Sequence, residues 1–263
     1  MHLGLEDRIC LVTGSTAGIG LETARLLAAE GARVVVNGRD PDRVEQARAD
    51  AGAALGVACD LSEPGAAEAL VTETTEAVGP VACLVNNVGE AYQAGFEELT
   101  DEQWDAMWQL NVMSYVRCIR AALPGMKEAK AGTIVNVSST AGKRPSTGMP
   151  NYSVTKAAVL SLSRLVADLY AKQGIRCNAV APGPTATPAW LAEGGLADQQ
   201  AAASASIKTR LDVLDAVGAG RPLGRLAEPE EIASVIAFLC SERASYVTGS
   251  AWSADGGTVP III

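Results

Sequence analysis

Histidine is almost absent from this sequence. The single histidine among 263 residues is His2, beside the amino terminus. A Ser-His-Asp triad needs a histidine as its general base, and catalytic zinc sites commonly use histidine nitrogens as ligands. The sequence therefore excludes catalysis by a histidine-based triad or a histidine-based zinc centre, and we expect no catalytic metal.

Paired cysteine motifs and long apolar runs are also missing. The six cysteines are scattered, with no Cys-x-x-Cys pair and no cluster with histidine. This spacing favours buried, reduced thiols in a cytoplasmic protein. No apolar stretch reaches the roughly 18 to 20 residues of a membrane-spanning helix, and the first residues show no signal-peptide pattern. We therefore expect no membrane partner.

Basic residues are fewer than acidic residues. The chain has 21 lysines and arginines against 30 aspartates and glutamates, which gives a formal net charge of −9. Nucleic acids and anionic membranes attract basic surfaces, so neither is expected as the main partner. An anionic small ligand stays open, because local charge decides its binding.

Short apolar runs alternate with longer amphipathic segments, while aromatic residues make up only 4% of the chain. The runs of strand length are RICLVTG, ARVVVNG, LGVACDL, ACLVNNVG, GTIVNVSS, IRCNAVAPG and, more weakly, GSAWSADGG. Such continuous runs are typical of strands buried on both faces of a parallel sheet, and the segments between them predict crossover helices. The sequence therefore predicts an α/β, doubly wound fold with helices on both faces, as a single domain over residues 1–263.

Residues 184–228 depart from this alternation. They are rich in alanine, and their glycines at 194, 195, 218 and 220 are candidate hinges. Because the segment follows a strand end, we interpret it as a substrate lid over a site there. The alternative interpretation is a pair of ordinary surface helices.

The segment VTGSTAGIGLETARLLA has the order strand, glycine turn, helix. Gly14, Gly18 and Gly20 allow the backbone to turn sharply and to approach a ligand closely. The following helix directs its amino-terminal amides and positive dipole at that ligand, which suits a pyrophosphate. This order of elements predicts a dinucleotide site.

Several motifs together resemble the short-chain dehydrogenase/reductase family. The turn has that family's Gly-x-x-x-Gly-x-Gly spacing, NNVG at residues 86–89 resembles its Asn-Asn-Ala-Gly, and YSVTK is similar to its catalytic pair. The resemblance covers essentially the whole chain. It implies a Rossmann-type sheet of seven parallel strands in the order 3-2-1-4-5-6-7, a nicotinamide cofactor, and hydride transfer between a ketone and a secondary alcohol. The cofactor residues it implies are Gly14, Ser15, Thr16, Gly18, Ile19, Gly20, Arg39, Asp60, Leu61, Asn87, Val88, Gly89, Tyr152, Lys156, Pro182, Gly183, Thr185 and Thr187.

The end of the second predicted strand, VVVNGRD, bears on which dinucleotide binds. An acidic residue there would bind the ribose hydroxyls of NAD and repel a 2′-phosphate. Gly38 and Arg39 occupy the position instead, and an arginine forms a charge-assisted pair with a 2′-phosphate. This pattern resembles the NADP-preferring members, although Ala17 stands where many of them have a second cation and Asp40 lies close by. We predict NADP over NAD, with a solvated loop charge as the alternative for Arg39.

Asp60, in ACDLS, resembles the family aspartate that accepts a hydrogen bond from the adenine amino group. A helix cap is the alternative interpretation of this residue. After the sixth predicted strand, PGPTATP matches the family's Pro-Gly at Pro182 and Gly183. Thr185 and Thr187 are candidates to bind the nicotinamide carboxamide, and Thr187 is the closer match.

Four polar residues resemble the family's catalytic set: Asn111, Ser139, Tyr152 and Lys156. Ser139 precedes Tyr152 by 13 residues, the family spacing, which favours it over Ser138. Hydride transfer to a carbonyl builds negative charge on oxygen, and the oxygen then needs a proton. The pKa of tyrosine is about 10, and a nearby lysine cation lowers it, so we expect Lys156 to lower the pKa of Tyr152.

Ser139 is expected to donate a hydrogen bond to the substrate oxygen. In the family, the residue at Asn111 holds a water that links the lysine to solvent. Each residue alone has a structural alternative: a surface helix pair, a strand-end turn or a helix kink. Their joint occurrence behind a phosphate turn favours catalysis.

Three segments are expected to form the substrate pocket: the loop after Gly89, residues 140–149 and the lid near Trp190. Tyr92, Met149 and Trp190 indicate an apolar or ring-bearing substrate, whereas Lys143 and Arg144 are candidates to pair with an anionic group. The two sets of residues point to different substrates.

Two other functions compete with reduction of a free ketone. A β-ketoacyl-carrier-protein reductase of the family docks its carrier through arginines, and Lys130 and Gln173 stand at the corresponding positions here, a poor match. A non-enzymatic dinucleotide-sensing protein on the same fold is the other alternative, which the intact catalytic set disfavours. The long helices after Thr100 and after Tyr152 resemble those that pair subunits in the family, so a homo-oligomer, tetramer or dimer, is expected. The apolar end VPIII is expected to pack against another subunit.

Overall fold

The computed structural model of the protein describes residues 2–204 and 209–260. Its strands are β1 (Ile9–Val12), β2 (Arg33–Gly38), β3 (Leu55–Ala58), β4 (Cys83–Asn86), β5 (Gly132–Val137), β6 (Ile175–Pro182) and β7 (Ala251–Ala254). Each strand lies within one of the seven apolar runs of the sequence. The isoleucines of VPIII lie outside the described residues.

The strands form one parallel sheet in the order β3-β2-β1-β4-β5-β6-β7, which confirms the predicted fold. Successive side chains of a strand point to opposite faces. Cys10 and Val12 of β1 therefore join one core layer, while Leu11 joins the other. All three are fully buried because both faces are covered, which explains why the strands are continuously apolar.

Helices cover the two faces of this sheet. They are α1 (Gly18–Ala29), α2 (Pro41–Ala51), α3 (Ala66–Ala77), α4 (Asp101–Trp108), α5 (Ser114–Ala129), α6 (Thr140–Lys143), α7 (Pro150–Tyr170), α8 (Pro188–Leu191), α9 (Leu196–Ala203), α10 (Arg210–Ala219) and α11 (Pro229–Cys240). On one face α1 packs against α11, through the core layer that holds Leu27 and Ile232. On the other face α3 packs against α5, through the layer that holds Leu70 and Ile119. Across the described residues, no helix combines the length and apolarity needed to span a membrane.

The sequence between residues 100 and 129, which the sequence pattern predicts as one long helix, is divided into three parts. Thr100 caps α4 by accepting a hydrogen bond from the Gln103 amide. A π-helical turn spans Gln109–Met113 before α5 begins. Such turns are rare and frequently mark functional sites.

The strand order reverses beside β1, since the chain runs outward to β3 and then crosses back to β4. In a doubly wound sheet this reversal leaves a crevice at the carboxyl ends of the strands. The two strand ends come close there: a Cβ at Gly14 would lie 2.7 Å from the Cα of Val88.

After β6, α8, α9 and α10 form the helical segment over the crevice that was predicted as a lid. An ion pair of 2.6 Å between Arg210 and Asp198 joins α10 to α9. Residues 205–208 lie outside the described part of the chain. Movement of this segment as a lid stays a prediction.

Candidate active site

The glycine turn after β1 has the geometry of an anion site. Gly14 and Gly18 have φ angles of +59° and +54°, a region that residues with a Cβ rarely adopt. The helix α1 begins at Gly18, and Ala17 before it forms no side-chain cap. The first amides of α1 are therefore available to a ligand, where the helix dipole favours negative charge.

Ser15 and Gly20 hold this turn together from behind. The Ser15 hydroxyl is buried, donates to the carbonyl of Val12 at 2.7 Å and accepts from the amide of Asn37 at 2.9 Å. A Cβ at Gly20 would lie 2.4 Å from the carbonyl oxygen of Gly14. Neither residue lines the cavity beside the turn.

The end of β4 is hydrogen-bonded to the same turn. Thr13 Oγ1 accepts from the amides of Asn87 at 3.0 Å and Val88 at 3.2 Å. Asn87 Nδ2 in return donates to the carbonyl of Gly14 at 2.9 Å. These bonds explain why NNVG and the glycine turn occur together in one sequence.

A cavity of about 1080 Å³ runs along the carboxyl edge of the sheet. This volume suits a large ligand, since small-molecule sites span about 300 to 1,000 Å³. Of the residues predicted for the cofactor and for catalysis, those that line it are Gly14, Thr16, Gly18, Ile19, Arg39, Asp60, Leu61, Asn87, Val88, Gly89, Ser139, Tyr152, Lys156, Pro182, Gly183, Thr185 and Thr187. The cavity therefore joins the glycine turn to the Tyr-x-x-x-Lys pair.

Two arginines lie at the β2 end of this cavity. Arg39 is exposed, with its Nη1 3.9 Å from Asp60 Oδ2. Asp40 also lines the cavity, but one oxygen of its carboxylate is occupied, because Oδ1 caps α2 by accepting from the amides of Asp42 and Arg43. This cap starts α2 so that Arg43 also lines the cavity. The sequence pattern indicated a single cation here, and the structure adds a second.

Asp60 forms a turn and also lines the cavity. Its Oδ1 accepts from the amide of Ser62 at 2.9 Å and from the Ser62 hydroxyl at 2.7 Å. Burial acts in the opposite direction, but these bonds hold the pKa of Asp60 below its ordinary value, so the side chain stays ionised. Within residues 2–204 and 209–260, no three His, Cys, Asp or Glu side chains are grouped as ligands for a metal ion.

Ser139 stands at the carboxyl end of β5, where it precedes the short helix α6. Its Oγ accepts from the amide of Ala141 at 3.1 Å, and the same side chain forms a hydrogen bond with Tyr152. Ser138 differs, because its buried hydroxyl donates to the carbonyl of Lys156 at 2.7 Å. The Ser138 hydroxyl is therefore used within the protein, and the catalytic role of Ser139 stays a prediction.

Lys156 is buried within α7, one turn after Tyr152. Its Nζ donates to the carbonyl of Val137 at 2.9 Å and to the hydroxyl of Tyr115 at 3.4 Å. Burial lowers the pKa of Lys156 to about 7, because the charged form loses its hydration. Its Nζ lies 5.7 Å from the centre of the Tyr152 ring.

The expectation that Lys156 lowers the pKa of Tyr152 is not what this structure shows. Burial raises the pKa of the Tyr152 phenol, and a hydrogen bond with Ser139 opposes the rise only in part. The physical reason is that Lys156 is buried and Tyr152 is partly buried, which disfavours the lysine cation as well as the tyrosinate. A neutral phenol is a proton donor, the form that reduction of a carbonyl requires.

Asn111 lies beneath the cavity rather than in its wall. The π-helical turn buries its side chain, whose Oδ1 accepts from the amide of Glu90 at 2.9 Å while Nδ2 donates to the Glu90 carbonyl at 3.0 Å. These bonds fix the loop after β4. A Cβ at Gly89 would lie 3.1 Å from Asn111 Oδ1 and 3.3 Å from Lys156 Nζ, so the three residues are close neighbours.

Tyr115 is a neighbour of the predicted catalytic residues, and the sequence did not indicate it as part of the site. It is fully buried in α5, and its hydroxyl donates to the carbonyl of Val137 at 3.0 Å. That carbonyl also accepts from Lys156, so the hydroxyl and the ammonium share one acceptor. The only signal in the sequence is its position one helical turn after Asn111.

The loop after β6 closes the nicotinamide end of the predicted site. Thr185 is buried and its hydroxyl donates to the carbonyl of Gly183 at 3.0 Å. Thr187 starts α8 without forming a side-chain cap, so its hydroxyl is the freer of the two. A Cβ at Gly18 would lie 3.0 Å from Thr187 Cγ2, which places this loop against the glycine turn.

The predicted substrate residues divide into two groups. Met149, Trp190 and Arg144 line the cavity. Tyr92 does not line it, because its hydroxyl accepts from Asn151 Nδ2 at 2.8 Å. Lys143 does not line it either, because its Nζ donates to the carbonyl of Ala251 and to Ser253 Oγ, both at 2.9 Å.

A sequence model of the family described as enoyl-(acyl carrier protein) reductase matches residues 14–259. The cis-4-hydroxycyclohexanecarboxylate dehydrogenase of Sinomonas cyclohexanicum is 39% identical over 98% of each chain. The D-beta-hydroxybutyrate dehydrogenase of Cupriavidus necator is 35% identical, over 97% of this chain and 99% of its own. The L-sorbose reductase of Gluconobacter frateurii, solved with NADPH and L-sorbose, is 34% identical, with a TM-score of 0.92 over 100% of both chains.

Proposed function

Since the chain belongs to the short-chain dehydrogenase/reductase family, an NAD(P)-dependent oxidoreductase that interconverts a ketone and a secondary alcohol, we propose that Tyr152 is its acid and base. The observation that carries this assignment is that Ser139, Tyr152 and Lys156 line the same cavity as the glycine turn. All three are distant in the sequence from the glycine turn at residues 14–20, so their convergence on the same cavity supports a shared role.

The residues along the cavity suit a nicotinamide dinucleotide. Gly14 and Gly18 form the tight turn that follows β1, and the uncapped start of α1 offers amides to a pyrophosphate. Lys156 and Thr187 lie further along the same cavity, toward Ser139 and Tyr152, where we assign the nicotinamide riboside. When bound in reduced form, this cofactor would supply a hydride, which is one proton with two electrons, to the carbonyl carbon.

The side chains of the protein supply the remaining proton. Ser139 donates a hydrogen bond to the carbonyl oxygen, which stabilises the negative charge that develops there. Tyr152, neutral because burial raises its pKa, transfers its phenolic proton to that oxygen and completes the alcohol. Lys156 holds the end of β5 through Val137 and assists return of a proton to Tyr152.

An absorbance assay of NADPH oxidation tests this function. The panel contains acetoacetate, 4-oxocyclohexanecarboxylate and L-sorbose, which follow the substrates in the names of the similar proteins, together with simple cyclic and linear ketones. We expect oxidation with at least one ketone and formation of the matching alcohol. The dinucleotide-sensing alternative is supported instead if the protein binds NADPH but reduces none of the panel.

We further propose that NADP is preferred over NAD. Arg39 and Arg43 both line the β2 end of the cavity, and Asp40 is occupied as the cap of α2. A 2′-phosphate at this end would meet two guanidinium groups and no free carboxylate selector at residue 40.

Replacement of Arg39 by aspartate is expected to move cofactor preference toward NAD. Loss of one charge-assisted bond, together with repulsion of the phosphate, changes the ratio of kcat/KM for NADPH and NADH by roughly tenfold to a hundredfold. The ratio is measured with one ketone at fixed ionic strength. Arg48→Asp is the matched control, because Arg48 pairs with Glu45 on the exposed face of α2. An equal ratio in the Arg39 variant and the parent protein would remove Arg39 as the selector.

The substrate is proposed to be a small carbonyl compound. Met149 and Trp190 are apolar residues of the cavity that Ser139 also lines, and residues of α8 to α10, the proposed lid, line it as well. The proteins similar to this chain are named for a cyclic hydroxy acid, a short hydroxy acid and a sugar, all small. A carrier-bound β-ketoacyl substrate is the second candidate, and Lys130 and Gln173 at the expected docking positions make it the weaker one.

We propose that the protein forms a homo-oligomer, a dimer or a tetramer, through the long helices. Val154, Leu165 and Leu169 of α7 leave 49%, 54% and 55% of their surface exposed in the single chain. Burial of such a row against a second copy removes apolar surface from water. Sedimentation analysis that gives only the monomer mass at micromolar concentration would contradict this proposal.

Residence in the cytoplasm is proposed from the cysteines. All six are free, and five of them are buried. Reduced, buried thiols of this kind are stable in a reducing compartment. Localisation of the tagged protein by fractionation tests the proposal, and recovery from an oxidising compartment would contradict it.

A further inference from the structure

Two arginines outside the cofactor end line the same cavity. Arg144 follows α6, and Arg221 follows α10, so they belong to two segments that are distant in the sequence. Met149, Trp190 and Val217 line the cavity with them. Both arginines therefore line the cavity that also holds Ser139 and Tyr152, and we assign them to its substrate end.

Arg221 is half-buried and lacks an anionic partner. Its Nε donates to the carbonyl of Val217 at 2.9 Å, a bond that uses one of five N–H groups. No carboxylate in residues 2–204 and 209–260 lies within ion-pair distance of it. Arg225, four residues later, provides the contrast, because Glu231 accepts two hydrogen bonds from its guanidinium.

Arg144 is also without an ion pair among the described residues. The adjacent Lys143 points away to β7, where it donates to Ala251 and Ser253. Of the two cations predicted as partners of an anionic group, only Arg144 therefore reaches the cavity.

Carboxylates are few along this cavity. Asp40 and Asp60 lie at the β2 end, and the first of them is occupied as a helix cap. Glu90, on the loop after β4, is the remaining acidic residue of the described lining. A guanidinium that is partly removed from water and unpaired is unfavourable, and a bidentate carboxylate or phosphate would compensate it.

We infer that the substrate carries an anionic group beside its ketone, and that Arg221, together with Arg144, binds this group. The inference rests on the proposed ketone reduction and names the chemistry of its substrate. The anion is the carboxylate of a small keto acid or the phosphate of a thioester carrier, since a guanidinium binds both in the same way. In this reaction a hydride and a proton add across the carbonyl, and the anionic group is unchanged.

Matched acids and esters test the inference with the intact protein. The pairs are acetoacetate with methyl acetoacetate, and 4-oxocyclohexanecarboxylate with its methyl ester. Acetoacetyl-CoA and the uncharged thioester acetoacetyl-N-acetylcysteamine distinguish a carrier phosphate from a carboxylate. The measured quantity is the ratio of kcat/KM for the anionic and the neutral member of each pair.

We expect the parent protein to favour an anionic member by roughly tenfold to a hundredfold, as one charge-assisted contact provides. Arg221→Gln should lower that ratio by a similar factor, mainly through KM, and Arg144→Gln should lower it less. Arg225→Gln should leave the ratio as it is in the parent, since Arg225 pairs with Glu231.

The outcomes separate this inference from the proposed function. Ratios near one for every pair in the parent, or a ratio that Arg221→Gln and Arg225→Gln change equally, overturn the role of Arg221. If the neutral esters are still reduced in that case, the proposed ketone reduction is retained. If the protein binds NADPH but reduces no ketone, the proposed function itself is contradicted.

Discussion

Replacing Tyr152 with phenylalanine is expected to lower kcat for ketone reduction by roughly a hundredfold to ten-thousandfold. The substitution removes the proton that completes the alcohol, and general acid catalysis provides a factor of that size. The ring stays in place, so the neighbouring contacts of α7 are preserved. Steady-state kinetics with saturating NADPH measure the effect, and NADPH binding should be close to that of the parent.

Tyr170→Phe is the matched control for this prediction. Tyr170 is the last residue of the same helix, and its ring lies against Lys127, 4.7 Å from the ammonium to the ring centre. The loss of a hydroxyl there is expected to leave kcat within a factor of about two, as for a surface position. Equal activity of Tyr152→Phe and Tyr170→Phe would mean that Tyr152 is not the acid.

Replacing Lys156 with methionine is expected to separate activity from stability. Activity should fall by roughly a hundredfold, because Tyr152 loses the group that assists its protonation. The folded protein should nevertheless be at least as stable near neutral pH, since methionine fills a similar volume without the cost of burying an amine. The carbonyl of Val137 keeps a donor, because the Tyr115 hydroxyl bonds to it at 3.0 Å.

The pH dependence of stability identifies the buried amine. Burial lowers the pKa of Lys156 from its ordinary value of 10.5 to about 7 in the folded state. Between these values the unfolded chain holds a proton that the folded chain does not, so the parent gains stability as pH rises through this window. Each unit of pH contributes about 1.4 kcal/mol for one proton. Below about pH 7 the amine is protonated in both states, and this contribution no longer changes with pH.

Urea unfolding of the parent and of Lys156→Met at several pH values measures this contribution. Subtracting the two stability curves removes the other titrating groups, and the difference should rise in favour of the parent from about pH 7 upward. A flat difference between pH 7 and pH 10 would show that Lys156 keeps its ordinary pKa in the folded protein.

The fold was predictable from the sequence because the central strands β1, β4, β5 and β6 are buried on both faces. Residues such as Leu11 and Val12 of β1 join opposite core layers, so the strand is read as one continuous apolar run. The strand order followed from the resemblance to a family rather than from these runs. The π-helical turn around Asn111 was not predictable, because its sequence keeps the helical spacing of apolar residues on either side.

The candidate site was predictable where the backbone or the chemistry requires one residue type at a fixed position. Gly14 and Gly18 need positive φ angles, and Ser139, Tyr152 and Lys156 have fixed spacing. Side-chain direction was not predictable: Tyr92 turns to Asn151, and Lys143 turns to β7. These directions depend on hydrogen-bond partners that are distant in the sequence.

The electrostatic state of the pair in YSVTK was also beyond the sequence. A lysine one helical turn from a tyrosine implies a lowered pKa of the phenol, as long as the lysine keeps its positive charge. Burial of Lys156 and partial burial of Tyr152 reverse that expectation, and this burial depends on how α7 packs in the folded chain. The same packing brings Tyr115 to Lys156.

Deuterium transfer tests the central claim of hydride delivery to a ketone most directly. The protein is incubated with NADPH deuterated at both C4 positions and with the best ketone of the panel, and the product is analysed by NMR and mass spectrometry. We predict one deuterium on the carbinol carbon of the alcohol, with the hydroxyl proton from solvent. An alcohol without deuterium on that carbon, or oxidation of NADPH without formation of the alcohol, would contradict the account.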